Sequence, residues 1–370
     1  MNIAFLVVNL GCGGVERTVS YLSRYFAEHG HNTSIICISG EVFYDIDEKV
    51  NLINLNISAK SKGRLQRYKN ILMRLAKVNK AIKQTKPDCL VCLDAEMLRY
   101  VRFQHKFGNF KLLTSERTNP LMQSEKQKIA KFKSYRNSDG IVFQSERARQ
   151  CFPADIASKG VVIPNAVGND FVFKAVTPSE RRKAITAVGR LCDQKDYPTL
   201  VRAFDLVHKR HPDYTLEIFG EGSEKENILR MVNELNLSDS VVLKGVALDA
   251  VLHVASSSCY VMSSTYEGMP NSLMEALAVG TPSVSTDCAF GPSELIRNGE
   301  NGILVPVGDV DALAAAICKM IEDKEFAKCC SEESRKILEE QSINSISKKY
   351  LDYIISIVGF SGKESKGGSL

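Results

Sequence analysis

No stretch of this 370-residue chain approaches the roughly 20 consecutive apolar residues that a bilayer-crossing helix needs. Residues 3–8 are apolar, but the run is short and has no basic leader, so no secretion signal is expected. The eleven cysteines are odd in number and scattered, a pattern of reduced thiols in a cytoplasm rather than a disulfide framework. Cys89 and Cys92 stand three apart in an apolar run, residues 87–93, that reads as a strand. They would therefore point to opposite faces and share neither a disulfide nor a metal. No Asp-x-Asp pair is clustered with histidine ligands, and the six histidines stand singly in polar surroundings. No metal is expected. Acidic residues are missing altogether between Glu48 and Asp88.

That last gap is filled with cations. Residues 60–86 hold ten Lys and Arg, and residues 1–165 carry a net charge of +12 against −7 for the remainder. Within the basic stretch, Leu65, Tyr68, Ile71, Leu72, Leu75, Val78 and Ile82 recur at helical spacing, with Arg67, Lys69, Arg74, Lys77 and Lys80 largely opposite. The expectation is an amphipathic helix whose basic face lies on an anionic membrane or on the diphosphate of a lipid carrier. No nucleic-acid motif accompanies these cations, so nucleic acid is not expected as a partner.

The composition is that of a soluble globular protein, 44% apolar, 25% charged and long enough for two domains, and its alternating strand and helix patterns read as α/β. Residues 1–9 read as a buried strand, followed by Gly11, Gly13 and Gly14 and then a helix through Val19, Leu22 and Phe26. This is the strand, glycine loop and helix of a dinucleotide fingerprint, but Glu16 holds the third glycine position, against a dehydrogenase. Strand patterns recur at 33–39, 87–93, 111–115, 140–144 and 161–164, then at 184–188, 215–219, 241–243, 259–262, 283–285 and 303–305. Between the two series, residues 168–183 lack periodicity and read as a linker. Residues 361–370 read as a disordered tail.

The second half is organised around residues 264–282. An apolar strand end is broken by Gly268 and Pro270. Leu273, Met274, Leu277 and Ala278 then repeat at helical spacing until Gly280 and Pro282 stop them. Pro270 is expected as the first helical residue. The free N–H groups of Met269, Asn271, Ser272 and Leu273 would favour an anion such as a diphosphate. Glu267 precedes this helix and Glu275 lies within it, on the order of 10 Å apart at the helical rise. That separation suits two hydroxyl-binding groups better than a glycosidase pair. Arg190 and Lys195, five apart after a Gly189 turn, can both reach a diphosphate and stabilise the charge that develops on it as a leaving group.

The Glu-x7-Glu spacing of Glu267 and Glu275, with 278–284 (Ala-Val-Gly-Thr-Pro-Ser-Val) behind it, resembles the retaining nucleotide-sugar glycosyltransferases of family 4. The resemblance extends to Gly189-Arg190-Leu191, Lys195-Asp196-Tyr197-Pro198, 163–167 (Ile-Pro-Asn-Ala-Val), 298–305 and Gly13-Gly14-Val15-Glu16-Arg17, in the expected order along nearly the whole chain. It implies the GT-B fold: two facing Rossmann-like parallel-sheet domains, an acceptor-binding one over 1–167 and a nucleotide-sugar-binding one over 184–342. A C-terminal helix near 343–360 would cross back to the first. It implies that Arg190, Lys195 and Glu267 serve catalysis, with Glu267 on the transferring sugar. Glu275 would bind the ribose, Gly245 and Val246 the base, and Gly13 and Gly14 the donor diphosphate. Where many members of the family place a histidine, this chain has Glu116-Arg117. These two, with Asn165, are candidates for sugar or acceptor contacts.

The whole layout, Glu41-Val42-Phe43-Tyr44 included, resembles bacterial enzymes that extend polyprenyl-diphosphate-linked glycans. The expectation is transfer of a hexose or N-acetylhexosamine from a UDP-sugar to a lipid-linked acceptor, at the inner face of the cytoplasmic membrane, without cofactor. A GDP-mannose-dependent mannosyltransferase and a nucleotide-sugar epimerase of the same fold are the alternatives.

Overall fold

A computed structural model describes residues 1–11, 14–40, 42–57, 64–117, 124–168, 181–247 and 249–359, with the side chains of 64–68 excepted. The chain divides into two compact units, Met1–Ile163 with Asn344–Leu370, and Pro164–Ile343. The expected linker lies mostly outside the described residues, and the expected tail wholly so. The division itself falls before Pro164, so Asn165 and Val167 belong to the second unit.

The first unit is built on seven strands: β1 (Asn2–Val7), β2 (Asn32–Cys37), β3 (Asn51–Asn54), β4 (Cys89–Cys92), β5 (Lys111–Glu116), β6 (Gly140–Phe143) and β7 (Gly160–Val162). They form one parallel sheet in the order β3-β2-β1-β4-β5-β6-β7. Central strands in such a sheet are covered on both faces, which is why β1, β4 and β6 are nearly continuous apolar runs. The edge strand β3 reads Asn-Leu-Ile-Asn and is half exposed, so its sequence carries no strand signal. Cys89 and Cys92 are buried free thiols in β4, and burial raises both pKa values far above the usual thiol range.

The helix Arg64–Thr85 forms as expected, but its buried face is turned. Asn70, Val78, Ala81 and Ile82 are buried, while Leu72 is 67% exposed. Polar bonds fix that rotation. Arg74 donates to the Tyr100 hydroxyl at 3.2 Å, and Lys77 donates to the Leu55 carbonyl at 2.8 Å. Residues 355–358 end the last helix, Ile343–Val358, which docks on the first unit's sheet. There the Ile141 N–H donates to the Tyr353 hydroxyl at 3.1 Å, and Tyr353 donates to the Lys159 carbonyl.

The second unit holds β8 (Arg182–Val188), β9 (Thr215–Phe219), β10 (Val241–Gly245), β11 (Ser257–Met262), β12 (Ser283–Thr286) and β13 (Ile303–Val305). They too are parallel, in the order β10-β9-β8-β11-β12-β13. In each sheet the strand order reverses once, between β1 and β4 and between β8 and β11. The loops leaving those strand pairs open a crevice at the carboxyl ends, the usual ligand position in an open α/β sheet.

Candidate functional site

In the second unit the crevice is framed by the loop after β8 and the loop after β11. The first begins at Gly189, over which the Lys195 side chain folds: a Cβ on Gly189 would lie 2.8 Å from Lys195 Cε. Gly220, at the end of β9, is equally constrained. A Cβ there would lie 1.9 Å from the Gly189 carbonyl oxygen, so only glycine lets the two strand ends approach. Tyr197 donates to the same Gly189 carbonyl at 3.0 Å. Asp196 sits in the left-handed region at φ 43° and caps the helix Tyr197–Arg210 through the Thr199 N–H. The loop is thereby locked in a conformation that aims Lys195 back across the crevice.

Lys195 Nζ meets Glu267 Oε1 at 2.7 Å. Glu267 is only 7% exposed, and the Ser264 hydroxyl donates to the same oxygen at 2.7 Å. Gln194 stitches the two loops beside this pair. Its side-chain amide donates to the Tyr266 carbonyl at 2.9 Å, and its own carbonyl accepts the Thr265 N–H at 2.8 Å. Thr286, at the end of β12, holds Ser264 from behind with a 2.6 Å bond to its carbonyl. Arg190 is exposed, and its guanidinium makes no ion pair among the described residues. The two cations expected to act together thus differ: one is engaged with a carboxylate and the other faces solvent.

The helix Asn271–Ala278 starts one residue later than its proline suggests. Pro270 has ψ 103° and is the N-cap, its carbonyl accepting the first helical bond from the Met274 N–H at 3.1 Å. A proline side chain has no acceptor to offer, so no side chain caps this end and its amides stay available. Met269 and Leu273 are buried in the core below. Asn271 accepts from Asn165 at 2.9 Å, and Ser272 accepts from the Tyr260 hydroxyl at 2.9 Å. Burial, with Glu267 and Glu275 adding their negative charge, raises the Tyr260 pKa, so both carboxylates lie within electrostatic reach of one phenol. Glu275 is half-buried. Gly280, at φ 72°, stops the helix. Gly245 closes β10, where its carbonyl accepts the Gly220 N–H at 2.8 Å, and Val246 beyond it is exposed.

In the first unit Gly13 lies outside the described residues, and Gly14 opens the helix Gly14–Glu28 at the end of β1. Near it, at the ends of β4 and β5, is a cavity of about 550 Å³ lined by Val15, Asp94, Arg99, Ser115, Glu116 and Lys131 among others. Glu116 is buried and bound by Lys131 Nζ at 2.7 Å, and it accepts the Tyr135 hydroxyl at 3.1 Å. Burial foremost, then the Glu116 charge, raises the Tyr135 pKa and keeps it a donor. The Ser115 hydroxyl is buried in this lining without a hydrogen-bond partner. Arg117 also lines this cavity, and donates to Thr18 at 3.1 Å and to Tyr350 of the last helix at 3.0 Å. Of the five helix cations, Arg67 lies outside the described side chains, Lys69 and Lys80 are exposed, and Arg74 and Lys77 are tied into the fold as above.

The sequence did not point to Ser264, Gln194, Tyr260, Lys131 or Tyr135. Ser264 reaches Glu267 three residues on, and each of the others acquires its place from a partner at least twelve residues away. One group among the described residues could hold a metal: His211, Cys318 and Glu322, whose ligand atoms lie within 4.8 Å of one another. It stands at the far end of the helix Tyr197–Arg210, about 20 Å from Lys195 at the helical rise. Glu322 there already accepts Arg210 and His211, both at 2.8 Å.

Two Rossmann-type parallel-sheet units, each with its loops leaving a topological switch point, make the GT-B architecture. The chain carries both domains of that class: it matches the Glycosyltransferase Family 4 profile over residues 12–171 and the Glycosyl transferases group 1 profile over residues 169–337, and it belongs to these families. An uncharacterized glycosyltransferase of Haemophilus influenzae is 26% identical over 362 residues, covering 94% of this chain and 98% of its own. The N-acetylgalactosamine-N,N'-diacetylbacillosaminyl-diphospho-undecaprenol 4-alpha-N-acetylgalactosaminyltransferase of Campylobacter jejuni is 26% identical, covering 94% of this chain and 99% of its own. The crystal structure of Anabaena HepE in complex with UDP superposes with a TM-score of 0.78 at 17% identity, over 96% of this chain and 100% of that one. The lipopolysaccharide core biosynthesis glycosyltransferase LpsE of Rhizobium meliloti is 27% identical, covering 93% of this chain and 96% of its own. No helix among the described residues is long and apolar enough to cross a membrane.

Proposed function

We propose that this enzyme transfers a hexose or N-acetylhexosamine from a UDP-sugar to a lipid-linked glycan, with retention of anomeric configuration. The observation that carries the reading is the crevice of the second unit. There a lysine–glutamate pair stands just before an uncapped helix N-terminus, and an exposed arginine lies on the same loop as the lysine. The helix amides, Arg190 and Lys195 supply positive potential where a diphosphate leaves. This stabilises the departing charge more in the transition state than in the bound donor. Glu267, neutralised by Lys195 and oriented by Ser264, accepts hydroxyls of the transferring sugar. Glu275 accepts the ribose hydroxyls, and Gly245 with Val246 borders the base. With two cations at the leaving group, the reaction proceeds without a metal. Retention then follows a front-face course in which the donor's phosphate takes the acceptor proton.

The cavity beside Glu116 offers the acceptor a carboxylate, a buried Ser115 hydroxyl and neighbouring cations, a lining suited to sugar hydroxyls. A lipid-linked acceptor accords with the activity of the Campylobacter relative, and a uridine donor with the UDP held by the Anabaena enzyme. The enzyme then works at the surface of the cytoplasmic membrane, on its inner face. The test is a panel of UDP- and GDP-sugars scored for thermal shift and slow hydrolysis. Stabilisation and hydrolysis confined to UDP-hexoses or UDP-N-acetylhexosamines support the reading. A response only to GDP-mannose would replace it.

A further inference from the structure

The helices Arg64–Thr85 and Leu98–Phe107 lie side by side on the first unit, and their C-terminal ends enclose a second cavity of about 640 Å³. Its rim carries two phenylalanines one helical turn apart, Phe103 and Phe107, which are 71% and 69% exposed. Their rings touch each other, 4.9 Å between centroids, and Lys106 lies over Phe107 at 5.4 Å. Single exposed apolar side chains are ordinary, but two large rings held together in water mark a surface that something covers.

The charge around them says what. Lys83 and Lys86 line the same cavity, and Arg102 and Lys106 flank the rings, all exposed. The one acid of the lining, Asp88, is occupied by the Asn2 N–H at 2.7 Å. Lys86 is held in the left-handed region at φ 44°, where glycine or asparagine would be cheaper, with its N–H on the Ile82 carbonyl at 2.9 Å. Basic side chains around an apolar wedge complement an anionic lipid surface: phosphates meet the lysines while the rings enter the acyl boundary.

We infer that this aromatic and basic rim is the membrane-docking surface, with Phe103 and Phe107 inserting into an anionic bilayer and the cavity between Lys83 and Lys86 receiving a lipid phosphate. The surface differs from the basic face that the sequence of the first helix suggests, since Arg74 and Lys77 of that face are engaged within the fold. It also lies at the opposite end of the strands from Glu116, beside the starts of β4 and β5, so docking leaves the crevice at the carboxyl ends uncovered. The inference rests on the proposed function only in assuming that the enzyme works at a membrane.

The chain contains no tryptophan, so Phe107→Trp places a single reporter on the rim without background. The full chain carrying it is mixed with vesicles of phosphatidylcholine alone, or of phosphatidylcholine with phosphatidylglycerol. The expected result is a blue shift of emission with the anionic vesicles only, and quenching by brominated acyl chains. In the otherwise native protein, Phe103→Ser with Phe107→Ser, and separately Lys83→Glu with Lys86→Glu, each lower vesicle binding by about tenfold or more. Thermal unfolding and donor hydrolysis stay unchanged, because these side chains are exposed. Native protein that binds anionic vesicles while both double variants bind equally well would overturn this surface and leave the membrane reading standing. Native protein that ignores anionic vesicles would overturn both. A blue shift that appears without lipid as protein concentration rises would assign the rim to a second copy of the chain instead.

Discussion

Lys195 and Glu267, 72 residues apart in sequence, form a short ion pair, 2.7 Å, across the carboxyl ends of β8 and β11. Neither side chain is more than 14% exposed, so neither charge is well solvated without the other. The pair is therefore a structural element of the crevice. Lys195→Ala leaves Glu267 with Ser264 and no cation, and should lower unfolding free energy by about 3 kcal/mol. Adding Glu267→Gln to the same chain should recover a large part of that loss, because the uncompensated charge is removed. Urea unfolding of both single variants and the double variant measures the coupling. Additive losses would show that the two groups do not stabilise each other.

The cations of the helix Arg64–Thr85 should separate into two kinds. Arg74→Glu and Lys77→Glu remove bonds to the Tyr100 hydroxyl and the Leu55 carbonyl, and each should destabilise by about 1–3 kcal/mol. Lys69→Glu and Lys80→Glu, exposed and outside such bonds, should change stability by less than about 0.5 kcal/mol. Thermal unfolding of the four variants checks the division. Equal effects at all four positions would mean that this helix has no engaged face.

Much of this was legible from the residues, and the failures have physical causes. Strands such as β1, β4 and β11 announce themselves because a buried parallel strand must be apolar on both faces. The edge strand β3 does not, since its Asn51 and Asn54 look like turn residues and only the pairing with β2 makes them a strand. The face of Arg64–Thr85 was misjudged because periodicity counts apolar side chains. It cannot see that Arg74 finds a buried hydroxyl while Leu72 is left outside. At the site, Glu267, Glu275, Arg190 and Lys195 were visible as residue types beside turns. The direct contact of Lys195 with Glu267, and of Glu116 with Lys131, depends on which strands become neighbours.

Asp139 offers a pH test in the first unit. It accepts the Leu112 N–H at 2.8 Å, Lys111 at 3.1 Å and His105 at 2.7 Å. Burial alone would raise its pKa, but these donors outweigh burial and hold it below the ordinary carboxylate range. A carboxyl depressed in the folded state contributes stability at neutral pH, and loses it as pH falls through the folded value. Asp139→Asn should therefore cost about 1–3 kcal/mol at pH 7, with the difference from the native protein shrinking in acid below the carboxylate range. A difference that is constant with pH would remove the charge from the explanation.

Activity should survive excess chelator. Arg190, Lys195 and the amides of Asn271–Ala278 together can take the role of a metal at a leaving diphosphate. The group at His211, Cys318 and Glu322 is a helix length away. Transfer assayed with and without chelator decides the point. Loss of activity that magnesium or manganese restores would place a metal in the reaction.

The most direct measurement is the single-turnover rate of donor cleavage in Arg190→Ala and Lys195→Ala, with the nucleotide sugar that the donor panel selects. Each substitution removes one preorganised charge from the leaving diphosphate, and each rate should fall by roughly 10²-fold or more. Donor binding should weaken much less, because the charge these groups meet is largest in the transition state. Near-native cleavage rates in both variants would contradict the assignment of this crevice as the donor site.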